Sequence, residues 1–340
     1  MRILLIGGTG TISGAVTRQL AAEGHDVWVL NRGHRREVLP EGVRLVVADI
    51  HDEAAVDGLL GDVVFDAVCE FVGFRAEQVE RDFRLFRRRT RQYVFVSSAS
   101  ACHKPVRHYL VSEGTTLANP YWQYSRDKIA CEERLMHYYR AEGFPVTIVR
   151  PSHTYGERKV PVGLHGAKGS WQVLRRMLEG RPVLVHGDGS SLWTMTWNED
   201  FARGFVGLLG NPHAIGEAFQ IMSDESLTWN QIYETIAGCL GVTCKPYHVA
   251  SDFLAAVAPK DYDVEGNLLG DKACSVVFDC TKLKRMVPGW QAETRFEEGV
   301  GRSIAYVLRH QECQVADPVF DEWCDRVIAA QESAYRCFAK

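Results

Sequence analysis

A tyrosine and a lysine four residues apart, Tyr124 and Lys128 in YWQYSRDKIACEE (121–133), can act as a couple if the segment is helical. The (i, i+4) spacing puts both side chains on one face. An ammonium beside a phenol lowers the cost of a phenolate, whose ordinary pKa is about 10, so the pair is a candidate for managing a proton. Such spacing arises by chance in most chains of 340 residues. The elements around the pair must therefore carry the argument, and two of them stand upstream: a glycine-rich N-terminus, and the run YVFVSSAS (93–100), which ends in hydroxyls.

The chain opens MRILLIGGTG. RILLI (2–6) is a short apolar run, Gly7-Gly8-Thr9-Gly10 follows, and Val16, Leu20 and Ala21 recur at helical spacing before Gly24. This predicts strand, turn, helix. Backbone N–H groups at such a turn, with a helix N-terminus behind them, accept a pyrophosphate, and glycine is needed because a side chain would block the approach. Gly7, Gly10, Thr11 and Ile12 are the expected contacts there. Two features depart from the usual fingerprint: Ser13 stands at the third glycine, with Gly14 beside it, and the second strand ends in Asn31-Arg32. A carboxylate at that end bonds a ribose 2′-OH and repels a 2′-phosphate, whereas Arg32 can pair with that phosphate, stack on adenine, or lie as plain surface. The expected cofactor is therefore NAD or NADP. Asp49 and Ile50, after the third strand, are expected at the adenine, and Phe71 to Gly73, after the fourth, at the nicotinamide ribose.

Further apolar runs at 27–30, 43–47, 63–69, 93–96 and 146–149 alternate with helical periodicity. Continuous apolarity suits strands buried on both faces of a parallel sheet. The fold class is α/β: a doubly wound parallel sheet of the Rossmann type over 1–150, then a second, smaller mixed α/β substrate domain over 151–340, with some segments returning to the first. The shorter elements expected beyond 150 are a helix over 171–178, a strand over 182–186 and a helix over 199–209.

With 46% hydrophobic and 24% charged residues the composition is that of a globular protein, and a net charge of −4 gives no global pull toward nucleic acid. The N-terminus lacks the h-region and cleavage site of a signal peptide, and no run is long enough to span a bilayer. Ten cysteines without a CxxC or a zinc-like spacing predict reduced thiols, no metal and a cytoplasmic setting. RDFRLFRRRTR (81–91) reads as a basic helix, either a solvated or subunit-contacting face or a nucleic-acid patch.

Seven segments together resemble the extended short-chain dehydrogenase/reductases of the NAD-dependent epimerase/dehydratase family: GGTGTIS (7–13), ADIHD (48–52), VFVSSAS (94–100), YSRDK (124–128), IVRPSHTYG (148–156), HGDGSSLW (186–193) and CTKLKRMVPGW (280–290). The resemblance implies a catalytic triad of Ser98, Tyr124 and Lys128. Tyr124 would exchange a proton with a substrate hydroxyl or carbonyl, Ser98 would bond the same oxygen, and Lys128 would also hold the nicotinamide ribose. Pro151 would pass the carboxamide.

Departures from the family bear on the substrate. Ala99-Ser100 replaces the acidic pair of the 4,6-dehydratases, so water loss is not expected. Trp193 stands where nucleotide-sugar epimerases commonly place a diphosphate-binding arginine, and it can stack on a sugar or fill core. Lys168, Arg175, Arg176 and Lys284 are candidates to replace that charge. Cys102 and His103, with His153 and His165, are candidates for an additional acid or base. The glycine-rich loop 163–169 is a candidate cover over the substrate. The expected function is an epimerase acting on a sugar or sugar nucleotide through tightly bound NAD(P), as a homodimer joined through the YxxxK helix and the helix before it. The alternatives are a carbonyl reductase that releases its cofactor each turnover, and a nucleic-acid binder on the same fold. The latter resembles the chloroplast stem-loop-binding proteins through GGTG and Asn31-Arg32-Gly33, but has no need of Tyr124.

Overall fold

Alternating residues of the first strand feed two separate cores. In β1 (Arg2–Ile6), Ile3 and Leu5 enter one apolar cluster and Leu4 and Ile6 the other, so both faces of the sheet are covered. The structure is a computed structural model that describes residues 1–34 and 38–339. Around β1 lie β2 (Asp26–Asn31), β3 (Arg44–Val47), β4 (Ala67–Glu70) and β5 (Tyr93–Val96), followed by strands Val146–Pro151 and Ala218–Ile221. All seven are parallel. From one edge the order is Ala218–Ile221, Val146–Pro151, β5, β4, β1, β2, β3. The order reverses between β1 and β4, and ligands of such sheets bind in the crevice at that reversal.

The sheet crosses residue 150, because Ala218–Ile221 pairs with Val146–Pro151. In the other direction, Leu110–Val111 pairs with Val277–Phe278. The rest of the C-terminal half is built from two-stranded pairs and helices, including Trp171–Leu178, Asn198–Val206 and the long Pro318–Phe338.

Two expectations are corrected. The apolar run 43–47 is not covered on both faces: β3 is an edge strand, and Arg44, Leu45 and Val47 are exposed. The basic stretch 81–91 is neither wholly helical nor a free patch. Its helix, α3 (Ala76–Phe86; α1 is Thr11–Ala22 and α2 Glu53–Leu60), stops before the arginine run. Arg81 is buried against Asp82, while Arg84, Arg89 and Arg91 pair with Glu53, Asp57 and Asp66. Those carboxylates neutralise much of the footprint that a nucleic-acid reading requires. No helix among the described residues is long and apolar enough to cross a membrane, and all ten cysteines are free.

Candidate active site and dinucleotide cradle

Helix α4 (Gln123–Glu142) starts one residue before Tyr124. Asn119 sets that start. Its Oδ1 accepts from the backbone N–H of Tyr121 (3.2 Å) and Trp122 (3.1 Å), while its Nδ2 donates to Ser100 O (2.9 Å) and Gly270 O (2.7 Å). One buried amide thus ties the helix entry to the Ser98 segment and to the C-terminal half. The opposite flank of α4 is fixed through Glu132, which accepts from Ser97 Oγ and from both Nε (2.9 Å) and Nη2 (2.6 Å) of buried Arg150.

Ser98, Tyr124 and Lys128 are brought together. A Ser98–Tyr124 hydrogen bond favours the phenolate, but burial outweighs it and, with Asp271, holds Tyr124 above its ordinary pKa. Ser98 also shares a 2.8 Å bond with Ser100, which accepts from Ser125 at 2.8 Å. The Lys128 Nζ lies 5.9 Å from the Tyr124 ring centre and donates to Gly73 O (2.7 Å) and Val96 O (2.8 Å). Burial pushes Lys128 down to about 8. The ammonium is therefore anchored to two carbonyls with one proton left to give. Lys128 is not among the charges that shift Tyr124, and burial is what raises the phenol above its ordinary value.

The glycine turn forms as the fingerprint requires. Gly7 and Gly8 have φ of +111° and +71°, and a Cβ on Gly8 would lie 2.6 Å from Val29. Thr17 Oγ1 donates to Gly8 O (2.8 Å), locking the turn onto α1. Ser13 fits at the third glycine because its hydroxyl accepts from Gly10 N–H at 2.8 Å and caps the helix. A cavity of about 590 Å³ runs along the turn and over the ends of β1, β2 and β3, lined by Gly7, Gly10, Asn31, Arg32, Asp49, Ile50 and Phe71. Ile6, Thr9, Ser13, Leu30, His34, Ala48, His51, Val72, Phe74 and Gln78 complete it. Its size and donor set fit the adenosine and pyrophosphate of a dinucleotide. Thr11 instead lines a second cleft behind α1 and gives its carbonyl to Asn198, and Ile12 packs on the core. Pro151 is buried in its strand.

On the substrate side, several candidates are corrected. Trp193 is 2% exposed and stacks on Trp229 with ring centres 5.9 Å apart, so it fills core rather than offering a free face. Cys102 is buried, which pushes its thiol up to about 11 and removes it as a base. His103 turns Nδ1 to Pro105 O at 2.8 Å. Lys168 is exposed, Arg175 pairs with Glu179, Arg176 with Asp321 and Asp325, and Lys284 with Asp224. Loop 163–169 is tied down by Lys272 Nζ on Gly163 O (3.2 Å), the Tyr233 hydroxyl on Leu164 N–H (3.4 Å) and Asp317 on Lys168 N–H (3.0 Å).

Other lysines supply positive charge there. Lys104, 2% exposed, lies 3.7 Å from Asp271 and 5.8 Å over the Trp193 ring. Lys272 is buried, donates to Asn267 Oδ1 at 2.9 Å, and is pushed down to about 8 by burial. Lys159 lies 3.2 Å from His165 Nε2, and His165 Nδ1 faces Gly166 O at 2.8 Å, an arrangement that fits a neutral imidazole protonated at Nδ1. Burial and Lys159 bring His165 down to about 4, and burial with Lys272, Lys159 and His165 holds His153 well below its ordinary value. Neither Lys159 nor Lys272 forms a salt bridge with a carboxylate among the described residues. Two neutral imidazoles and two such cations therefore gather in one region. Asn119, Lys104, Asp271 and Lys272 were missed from sequence. Only Asn119 carried a signal, an Asx residue just before a helix.

A sequence model of the NAD dependent epimerase/dehydratase family matches residues 3–221. The chain is 29% identical over 295 residues to a 2'-dehydrokanamycin reductase of Streptomyces kanamyceticus, covering 86% of this chain and 80% of the relative. It is 26% identical over 336 residues to a UDP-glucose 4-epimerase of Mycolicibacterium smegmatis, covering 90% and 98%. Among solved structures, a UDP-glucuronic acid 4-epimerase from Bacillus cereus in complex with UDP-glucuronic acid and NAD shares the fold, with a TM-score of 0.72 at 18% identity over 91% of this chain and 99% of that one. With the family match spanning the glycine turn, the hydroxyl-ended strand and the YxxxK helix, this chain belongs to the NAD dependent epimerase/dehydratase family.

Proposed function

We propose that this protein is an NAD(P)-dependent epimerase acting on a sugar or sugar nucleotide by transient oxidation. The observation that carries the reading is the Ser98–Tyr124–Lys128 cluster at the end of the dinucleotide cradle. A bound dinucleotide supplies the acceptor and donor of hydride. Tyr124 moves the proton of the reacting hydroxyl, Ser98 bonds the same oxygen, and Lys128 gives its remaining proton to the nicotinamide ribose while Gly73 and Val96 keep it in place. The lysines at 159 and 272 support a substrate bearing a phosphoryl group, in place of the arginine absent at 193. Epimerisation leaves no net redox change, so the purified protein should turn over without added cofactor. Turnover only with stoichiometric consumption of NADPH would instead establish a carbonyl reductase, the reading favoured by the similarity to 2'-dehydrokanamycin reductase.

The same reading includes a cytoplasmic homodimer formed through α3 and α4, whose facing surfaces carry the stacked Phe83 and Tyr138 within each protomer. Light scattering at twice 38.2 kDa is the expected result.

A further inference from the structure

Two carboxyls are sealed from solvent beneath the loop that grips Lys128. Glu70 closes β4, beside the reversal of strand order, and Asp82 sits on α3; both are 0% exposed. Arg81 is the guanidinium between them. It gives Nε (2.9 Å) and Nη2 (2.7 Å) to Asp82 Oδ1, and Tyr93 gives its hydroxyl to Asp82 Oδ2 at 2.7 Å. Glu70 Oε1 accepts from Val72 N–H, but Oε2 meets no hydrogen-bond donor among the described residues, with Arg81 Nη2 standing off at 3.6 Å. What Glu70 does meet is the carboxyl of Asp82, to which it is hydrogen-bonded. Two carboxyl groups bond each other only if one of them carries a proton.

Ionising both would set two negative charges against one guanidinium in the interior, at a large cost. The other titratable neighbours do not relieve it. Burial keeps the Tyr93 phenol and the thiols of Cys69 and Cys131 protonated, and His51 reaches the cluster only through Arg81, its Nδ1 lying 3.2 Å from Nη1. Lys128 does not balance the pair either, since its two filled bonds go to carbonyls. Burial, with the charge of Asp82, accordingly holds Glu70 well above the usual carboxylate range, and burial raises Asp82 as well. Glu70 and Glu132 are the carboxyls whose charge favours the Lys128 ammonium, and Glu132 is committed to Arg150. An ionised Glu70 would draw the third proton of Lys128 toward the sheet, whereas a neutral one leaves it to the dinucleotide.

We propose that Glu70 and Asp82 hold a single proton between them and act as a positioning pair for Lys128, the neutral pair leaving the ammonium free to face the dinucleotide. The proposal rests on Lys128 serving the dinucleotide, not on epimerisation, and the two fail separately.

Infrared spectroscopy of the purified protein near pH 7 reads the proton directly. A protonated carboxylic acid shows a carbonyl band apart from those of carboxylates and amides, and the band shifts in D2O. It is expected in the wild type and should be lost in Glu70→Gln, whose amide can keep both the Val72 and the Asp82 contacts. The same proton has a linkage signature. The folded pair keeps it, whereas carboxyls of the unfolded chain release theirs near pH 4, so its contribution to stability is fully present below about pH 4 and is lost as pH rises toward the folded value. Between about pH 5.5 and 7.5 the unfolding equilibrium constant of the wild type, relative to Glu70→Gln, should rise roughly ten-fold per pH unit. Asp82→Asn removes the sharing partner and leaves Glu70 ionised opposite Arg81. The titration of Lys128, read from the pH dependence of the stability change that Lys128→Met makes in each background, should then move up by about one pH unit or more, and should not move up in Glu70→Gln. A purely structural role would not shift Lys128 in one variant alone. No acid band in the wild type, a band that survives Glu70→Gln, a stability difference independent of pH, or a Lys128 titration unmoved in Asp82→Asn would each overturn the proposal.

Discussion

Lys128 donates its ammonium to the carbonyl of Gly73 at 2.7 Å, joining α4 to the loop that follows β4. Beneath that loop sits Glu70, fully buried, whose carboxylate accepts from Val72 N–H. A Cβ on Gly73 would come within 3.0 Å of Glu70 Cγ and 3.2 Å of Phe95 Cε2. Gly73 is therefore glycine because of crowding, and it needs no special φ.

Gly73→Ala must shift the Glu70 or Phe95 side chain, or the carbonyl that grips Lys128. The expected outcome is a fall in kcat of a few-fold, because the crowding asks its neighbours to give by a few tenths of an ångström, less than the displacement of about 1 Å that can cost about a hundred-fold. KM for the sugar should change less. Steady-state kinetics on a variant with native circular dichroism checks this, and an unchanged kcat would remove Gly73 from the positioning of Lys128.

The pH dependence has opposite signs for activity and stability. Burial holds Lys128 at about 8 in the fold, against about 10.5 in the unfolded chain. Below pH 8 both states are charged and the desolvation cost is fully present. Between about 8 and 10.5 the unfolded chain binds more protons, so this group's contribution to stability rises with pH. Turnover, which needs the charged form, should fall above about pH 8. The melting-temperature difference between Lys128→Met and the wild type should shift in the wild type's favour as pH rises from 8 to 10, and a flat difference would contradict the assignment.

Legibility in the sequence divided along contact range. Tyr124 and Lys128 share a helix turn, and Gly7, Gly8 and Gly10 share one loop, so their relation is written in local spacing. The edge position of β3 is not, because the apolarity of Leu45 and Val47 says nothing about how many neighbours a strand has. Likewise Lys104 and Asp271 meet only because segments 167 positions apart fold over Trp193. Trp193 read as either a platform or core, and the choice depended on Trp229, which supplies the stacking partner.

Charge at the substrate end should show in binding. His165, at about 4, stays neutral across the physiological range, whereas Lys272, at about 8, loses its proton just above it. Affinity for a nucleotide sugar, whose diphosphate linkage stays fully ionised, should thus be level from about pH 5.5 to 7.5 and weaken through pH 8 to 9. Lys272→Met should raise KM for that substrate roughly ten-fold or more and flatten the alkaline loss, in line with a charge-assisted contact. Equal KM values for charged and neutral sugars in the wild type would remove the cluster from substrate binding.

Arg150 and Glu132 offer the sharpest test of what holds the YxxxK helix to the sheet. Both are nearly buried, the pair is bidentate, and Arg150 Nη1 also reaches Glu113 O at 3.1 Å. Removing one partner leaves the other charge buried and unpaired, which costs about 3–5 kcal/mol, whereas replacing both by apolar groups of similar volume is often near neutral. Arg150→Met alone should therefore lower stability by about that amount in urea unfolding. Arg150→Met combined with Glu132→Leu should recover much of it, less the contribution of Ser97, whose hydroxyl also bonds Glu132. Because Glu132 lies one turn beyond Lys128, the recovered double variant should still bind dinucleotide but turn over slowly. Full activity in it would mean that the buried pair stabilises the fold without setting the pose of Tyr124.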